Sequence, residues 1–319
     1  MFDNFLSNGQ MKKELELAAA NDKPMHAYMF CGAKGTGKLT IAKMFAKEII
    51  GKNANKVDRD SHPDIIIIEP EKDKKTIPVD AVREMRSDAF INPSEAKRKI
   101  YIINGAHLLN DAGQNALLTI LEQPPSFAVF ILLTESRDKM LPTVISRCIV
   151  YDMQYVEADE GAAFLKSRHK NIDLNKLTTA LKAAGGNIGL AERFATSSKL
   201  NEHEKLSARV LVAAALKDRY TVLNVITTLK KDALLEFLPI LAMYIRDVLV
   251  FKTVKNPNSL IFTDSVLQNI ADFDKIDDSI LYDSICEIER GIELINSNIS
   301  ATLTASAIAI QLCGGKQIG

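Results

Sequence analysis

The sequence predicts a doubly wound α/β domain followed by helices alone, and three observations carry that prediction. Five short apolar runs, Tyr28 to Cys31, Ile65 to Ile68, Ile100 to Ile103, Val129 to Leu133 and Ile149 to Tyr151, alternate with helical stretches. They are continuously apolar, which marks parallel strands covered on both faces. The first run ends in Gly32-Ala33-Lys34-Gly35-Thr36-Gly37-Lys38 directly before an amphipathic stretch. From about Leu200 onward no strand signal remains.

The bulk composition narrows the function. At 319 residues the chain exceeds one ordinary domain, and about two or three are expected. Forty basic and forty acidic residues cancel, so no general positive field argues for a protein that coats nucleic acid by itself. Cys31, Cys148, Cys286 and Cys313 lie far apart, which argues against a disulfide framework and a zinc site. The five histidines, His26, His62, His107, His169 and His203, lack the i, i+4 spacing of a helical metal site. No metal is expected. Apolar runs such as Ile65 to Ile68 fall far short of the roughly twenty residues that cross a bilayer. The N-terminal stretch has no apolar core with a cleavage site and reads as a turn at Ser7-Asn8-Gly9 before a helix. A cytoplasmic protein without membrane contact is expected.

Taken in order, the first element is the glycine-rich loop. Glycines let the backbone turn sharply and aim N–H groups at phosphate oxygens, and a lysine balances the charge. Gly32, Gly35, Thr36, Gly37 and Lys38 are the candidate phosphate-binding residues. The helix from about Leu39 to Ile50 carries Ile41, Met44, Phe45 and Ile49 on one face and points its positive end at the loop. The plain alternative is a glycine-rich turn with no ligand. The residue after the lysine ordinarily supplies a hydroxyl to magnesium, but here it is Leu39. Thr40 offers a hydroxyl one residue on, turned by about 100°.

Gly51 to Asp60 is polar and aperiodic, a surface connection. A helix from Asp80 carries Val82, Met85 and Arg86, and the run Lys97-Arg98-Lys99 before the third strand is expected to be solvated. In phosphate-loop NTPases the third strand ends in carboxylates that hold magnesium and poise water. Here it ends Asn104-Gly105-Ala106-His107. An amide takes no proton from water and glycine has no side chain, so neither replaces them. His107 is a candidate base, with a structural role as the ordinary alternative. A helix from Asp111 to Leu121, capped by Asn110, is stopped by Pro124-Pro125. The fourth strand leads to Thr134-Glu135-Ser136, and Leu141 to Cys148 enters the fifth.

The stretches HAYMFCGAKGTGKLTIAK, HPDIIIIEPEKDKKTIPVDAVREM, NALLTILEQPPSFAVFILLTES and LPTVISRC, in this order, resemble bacterial clamp-loader subunits of the AAA+ superfamily, and within them the delta-prime family of DNA polymerase III. The resemblance covers the whole α/β domain. It implies an AAA+ domain over residues 1–153, a helical lid over 154–200 and an all-helical collar over 201–319 that assembles with other subunits. It also implies that Arg147, in Ser146-Arg147-Cys148, projects into a neighbouring subunit's ATP site, and that Thr134 and Thr40 join the loop in a degenerate nucleotide site.

Departures from the family separate its members. The four-cysteine zinc module is missing, the Walker B acids are replaced by Asn104 and Gly105, and the sensor 2 arginine is matched by Gly189. Resemblance with these losses implies a largely ATPase-silent subunit that helps load the sliding clamp onto primed DNA. It would need no cofactor, bind ATP or ADP weakly at most, and join the gamma/tau and delta subunits in the DNA polymerase III holoenzyme without catalysing alone. An arginine like Arg147 is otherwise commonly a solvated surface residue. Two alternatives stay open: a gamma/tau-like ATPase, which requires an acid reaching magnesium from outside the usual position, and a switch that grips ATP without cleaving it.

Overall fold

A computed structural model describes residues 2, 5–51, 55–71, 76–297 and 299–315 of the chain. Residues 52–54 of the expected surface connection, and 72–75 of the second quoted stretch, lie outside the described residues. The chain divides into two compact units: Met1–Gly161 with Asn187–Leu190, and Ala162–Gly186 with Ala191–Gly319.

The first unit contains, in order, α1 (Gly9–Ala20), β1 (Ala27–Cys31), α2 (Lys38–Ile50), α3 (Asn55–Asp58), β2 (Ile65–Ile68), α4 (Val79–Ala89), β3 (Lys99–Asn104), α5 (Asp111–Glu122), β4 (Ala128–Thr134), α6 (Pro142–Ile145) and β5 (Ile149–Asp152). The strands form one parallel sheet in the order β2-β3-β4-β1-β5. Successive strand residues point to opposite faces, and both faces are buried. Tyr28, Phe30, Ile102 and Ile131 pack with α1 and α2 through Leu15, Ile41 and Phe45. Met29, Cys31, Tyr101 and Leu132 pack with α4 and α5 through Val82, Met85 and Leu117. Apolarity at every position of these runs is therefore demanded by the double layer.

The turn before α1 sets Ser7 and Asn8 at positive φ. The Asn110 carboxamide accepts the N–H of Gly113 at 2.9 Å, capping α5, and that helix ends one residue before Gln123-Pro124. Two expectations need correction. The polar connection carries the short α3, with Val57 buried. Lys99 is not solvated: it is the first residue of β3, only 6% exposed, and its ammonium meets the Asp88 carboxylate at 2.8 Å. Strand geometry alternates sides, so only part of a three-residue charge run reaches water; Arg98 instead pairs with Asp22.

The second unit is helical: most of α7 (Ala158–Arg168), α8 (Leu174–Ala183), α9 (Ile188–Thr196) from Ala191, α10 (Lys199–Ala215), α11 (Arg219–Thr227), α12 (Lys231–Val254), α13 (Thr263–Phe273), α14 (Asp278–Asn296) and α15 (Ala301–Leu312). Gly185 and Gly186 at positive φ close α8 by donating to Lys182 and Leu181 carbonyls. The α12 helix packs on α10 and α14, and α15 on α11 and α14. Among the described residues, no helix is long and apolar enough to cross a membrane.

Candidate functional site

In an open parallel sheet, ligands sit beyond the carboxyl ends of the strands, where strand order departs from sequence order. Here that place is the end of β1, between β4 and β5. The loop Gly32–Gly37 leaves β1 there, anchored by Gly32 N–H to the Thr134 carbonyl at 3.1 Å. Gly35 and Gly37 have φ of +95° and +86°, a region that L side chains rarely adopt, so the turn itself demands glycine at both. Thr36 closes it by donating its hydroxyl to the Ala33 carbonyl at 2.9 Å.

The loop is closed by the protein's own groups. The Lys38 ammonium donates to the carbonyls of Gly32 at 2.5 Å and Ala33 at 2.9 Å. Burial lowers the Lys38 pKa, and the negative charge of Glu135 partly offsets that. Asn187 donates its amide to the Lys34 carbonyl at 2.8 Å, and Gly189 N–H donates to the Gly35 carbonyl at 3.0 Å. The Phe5 ring covers Gly37, where a Cβ would come within 2.8 Å of Cε2.

The positions expected to serve nucleotide chemistry have other local roles. Leu39, which brings no hydroxyl for magnesium, lines a cleft of about 370 Å³ with Lys43, Asp60, His62, Ile65, Ile67 and Glu69. Thr40 is exposed. Thr134 is fully buried, and its hydroxyl donates to the Ser136 carbonyl at 2.7 Å within its own turn. Gly105 has φ +94°, and a Cβ there would lie 2.9 Å from Leu108 Cδ1. The backbone leaving β3 thus disfavours any side chain, a carboxylate included. The same holds at Gly189, whose Cβ would lie 2.8 Å from Gly35 Cα.

Asn104 donates its amide to Glu69 at the end of β2, at 3.2 Å. Glu69 escaped the sequence reading, although a carboxylate directly after a parallel strand is a legible signal. His107 is buried on the other side of the same strand ends. Its Nδ1 accepts the Glu135 N–H at 3.3 Å, and burial lowers its pKa while the Glu135 charge opposes that. Arg147 donates to the Thr143 carbonyl at 2.8 Å and to the Glu122 carboxylate at 2.7 Å. Both partners lie on α5 and α6. Among the described residues no three His, Cys, Asp or Glu side chains gather as metal ligands.

Residues 7–157 match the family model described as DNA polymerase III, delta subunit. The chain is 31% identical over 188 residues to the tau subunit of DNA polymerase III from Bacillus subtilis, covering 55% of this chain and 32% of that protein. It is 30% identical over 153 residues to a gamma subunit of DNA polymerase III from Buchnera aphidicola, covering 44% of this chain and 42% of that protein. The chain thus spans less than half the length of these relatives. A RuvB structure from Thermotoga maritima shares 18% identity and a TM-score of 0.48, covering 98% of this chain and 90% of that one. Through its α/β part, the chain is similar to these gamma and tau subunits of DNA polymerase III.

Proposed function

We propose that this chain is a delta-prime-like clamp-loader subunit, largely ATPase-silent, which joins gamma/tau and delta subunits and so helps load the sliding clamp onto primed DNA. One observation carries the silence. At Gly105, where an acid is expected of a working ATPase, φ is +94°, and at Gly189, where a sensor arginine is expected, a Cβ would lie 2.8 Å from the Gly35 main chain, so both positions disfavour a side chain. These residues serve the backbone, and Leu39 removes the magnesium hydroxyl as well. Residues 1–153 would act as the AAA+ body, 154–200 as lid and 201–319 as collar. Exposed Tyr220 and Leu223 on α11, and Leu303 and Ile310 on α15, support an assembly face, because α11 and α15 pack together. Arg147 is the group offered to a neighbour's ATP.

A second reading, a gamma/tau-like ATPase, is favoured by Glu69, an acid that reaches the Walker B position from the next strand. Steady-state phosphate release by the purified chain decides between the two. Background release is expected of the silent subunit. A turnover near one per second, ordinary for an enzyme, that vanishes in both Lys38→Ala and Glu69→Gln would establish the ATPase instead.

A further inference from the structure

Two segments far apart in the chain are tied to each other beside the glycine-rich loop. Asn8 donates its N–H to the Gln154 side-chain oxygen at 3.2 Å, and the Asn8 side-chain oxygen accepts the Gln154 N–H at 2.9 Å, a reciprocal pair across 146 residues of chain. The Ser7 hydroxyl adds a bond to the Tyr155 carbonyl at 3.3 Å. Asn8 is buried and has φ +57°, a conformation that asparagine tolerates better than most residues. The neighbours of this tie rest on the loop. Phe5 lies against Gly37 and Met153 against Gly32: a Cβ at either glycine would come within 2.8 Å of Phe5 Cε2 or Met153 Cβ. Phe5 is itself pinned, since its N–H donates to the Phe2 carbonyl at 3.0 Å and its carbonyl accepts the Lys12 ammonium at 2.8 Å. Phe2, Phe5 and Met153 pack in one core cluster with Phe30 and Phe45. Between the two covered glycines, the Lys38 ammonium is engaged by the Gly32 and Ala33 carbonyls.

We propose that the Asn8–Gln154 pair is a latch, which holds Phe5 and Met153 on the two ends of the loop and thereby gates the entry of polyphosphate anions to Lys38. An incoming anion must draw the ammonium from both carbonyls, and the loop peptides that carry them must turn. With the latch closed, the rings and chains packed on Gly32 and Gly37 leave those peptides little room. With the latch open, the loop samples shapes in which its N–H groups and Lys38 are free to meet phosphate. A ligand that binds only the open form has its apparent affinity reduced by the fraction of molecules that are open. The gate deepens the reading of Gly32 to Lys38 as a degenerate nucleotide site and rests on it for the ligand, while the loop motion stands apart from it.

The test is amide hydrogen exchange of the full chain, read by mass spectrometry, together with titration of the same proteins with inorganic pyrophosphate. Asn8→Gly keeps the positive φ and removes the side chain. Gln154 is exposed, so Gln154→Met breaks the other bond without entering the core, and Phe5→Ala removes the ring while leaving the latch. Each variant should speed exchange over residues 32–38 by about tenfold, with peptides from β3 and β4 exchanging as in the parent, because the opening is local. Pyrophosphate affinity should rise by a similar factor, about tenfold, as the open fraction grows. Asn8→Gly combined with Phe5→Ala should gain less than the two effects added, since both act on one path. Unchanged loop exchange in any of the three variants overturns the latch, as does faster exchange spread over the whole α/β unit. Faster loop exchange without tighter pyrophosphate binding overturns the gate and, with it, the reading of the loop as a nucleotide site. Phosphate release is read separately: turnover by the unaltered chain would overturn the silent-subunit reading and leave the exchange comparison standing.

Discussion

Gly189 donates its N–H to the Gly35 carbonyl at 3.0 Å, and a Cβ built on Gly189 would lie 2.8 Å from the Cα of Gly35. The atoms opposite are main chain, so they cannot swing aside as a flexible side chain does. Asn187, two residues earlier, holds the Lys34 carbonyl at 2.8 Å, so this short segment grips the loop at two consecutive residues.

Gly189→Ala should therefore destabilise the first unit by about 1–3 kcal/mol, the ordinary cost of forcing atoms into a filled space. Gly189→Arg should cost at least as much and confer no ATP turnover. Urea unfolding measures the first, and phosphate release the second. An unchanged midpoint for Gly189→Ala would mean that the close approach is not kept in solution.

Arg147 is held by the Glu122 carboxylate and the Thr143 carbonyl, a bonded guanidinium rather than a free one. In the trans role it must exchange Glu122 for a neighbour's phosphate. Arginine fingers in GTPases are worth about 10³ to 10⁵ in rate, but here only one of several sites would feel it, so total turnover should fall modestly. Arg147→Ala should slow clamp loading by a reconstituted complex without preventing assembly. Arg147→Lys should not fully rescue, because lysine lacks the planar fork. Unchanged ATPase and loading rates in an assembled Arg147→Ala complex would leave Arg147 a surface ion pair with Glu122.

The strand-free part of the chain should carry assembly. A fragment of residues 200–319 is expected to co-elute with gamma and delta subunits in size-exclusion chromatography, and the α/β fragment to bind them weakly. Entry of the α/β fragment alone would move the assembly face off α11 and α15.

Asp64, fully buried, accepts the N–H groups of Ser94, Glu95 and Ala96 at 2.6, 2.8 and 2.8 Å. Burial pushes its carboxyl up, but the three N–H bonds together outweigh burial and leave the pKa below the ordinary carboxylate value. A folded-state pKa lowered in this way stabilises the protein above the unfolded value, about 3.9 for aspartate, and the gain fades as pH falls through the lower folded value. Asp64→Asn should cost about 2–3 kcal/mol at neutral pH, the scale of a hydrogen bond to a charged group. In urea unfolding across pH, the gap between parent and variant should close below about pH 4. A gap that stays constant into acid would show that the charge is not what holds the 94–96 loop.

The five strands were legible because each lies in a sheet buried on both faces, and such a strand must be apolar at consecutive positions. The Asn110 cap, the proline stop after Glu122 and the glycines of the loop were legible for a similar reason: turn and cap geometry depends on residues within a few positions of one another. The absence of carboxylates at Asn104 and Gly105 could likewise be read directly.

What fills those places was decided by tertiary structure alone. Asn187 meets Lys34 across 153 residues of chain, Glu69 meets Asn104 from a neighbouring strand, and Glu122 reaches Arg147 from the end of a different helix. The order β2-β3-β4-β1-β5 brings the Thr134 carbonyl against Gly32 of the loop, because β4 inserts next to β1. Sequence periodicity reports which face of an element is buried, a property set within a few turns or a few strand residues. Which distant groups close around the loop depends on how segments far apart in the chain line up, and only the packed structure sets that alignment.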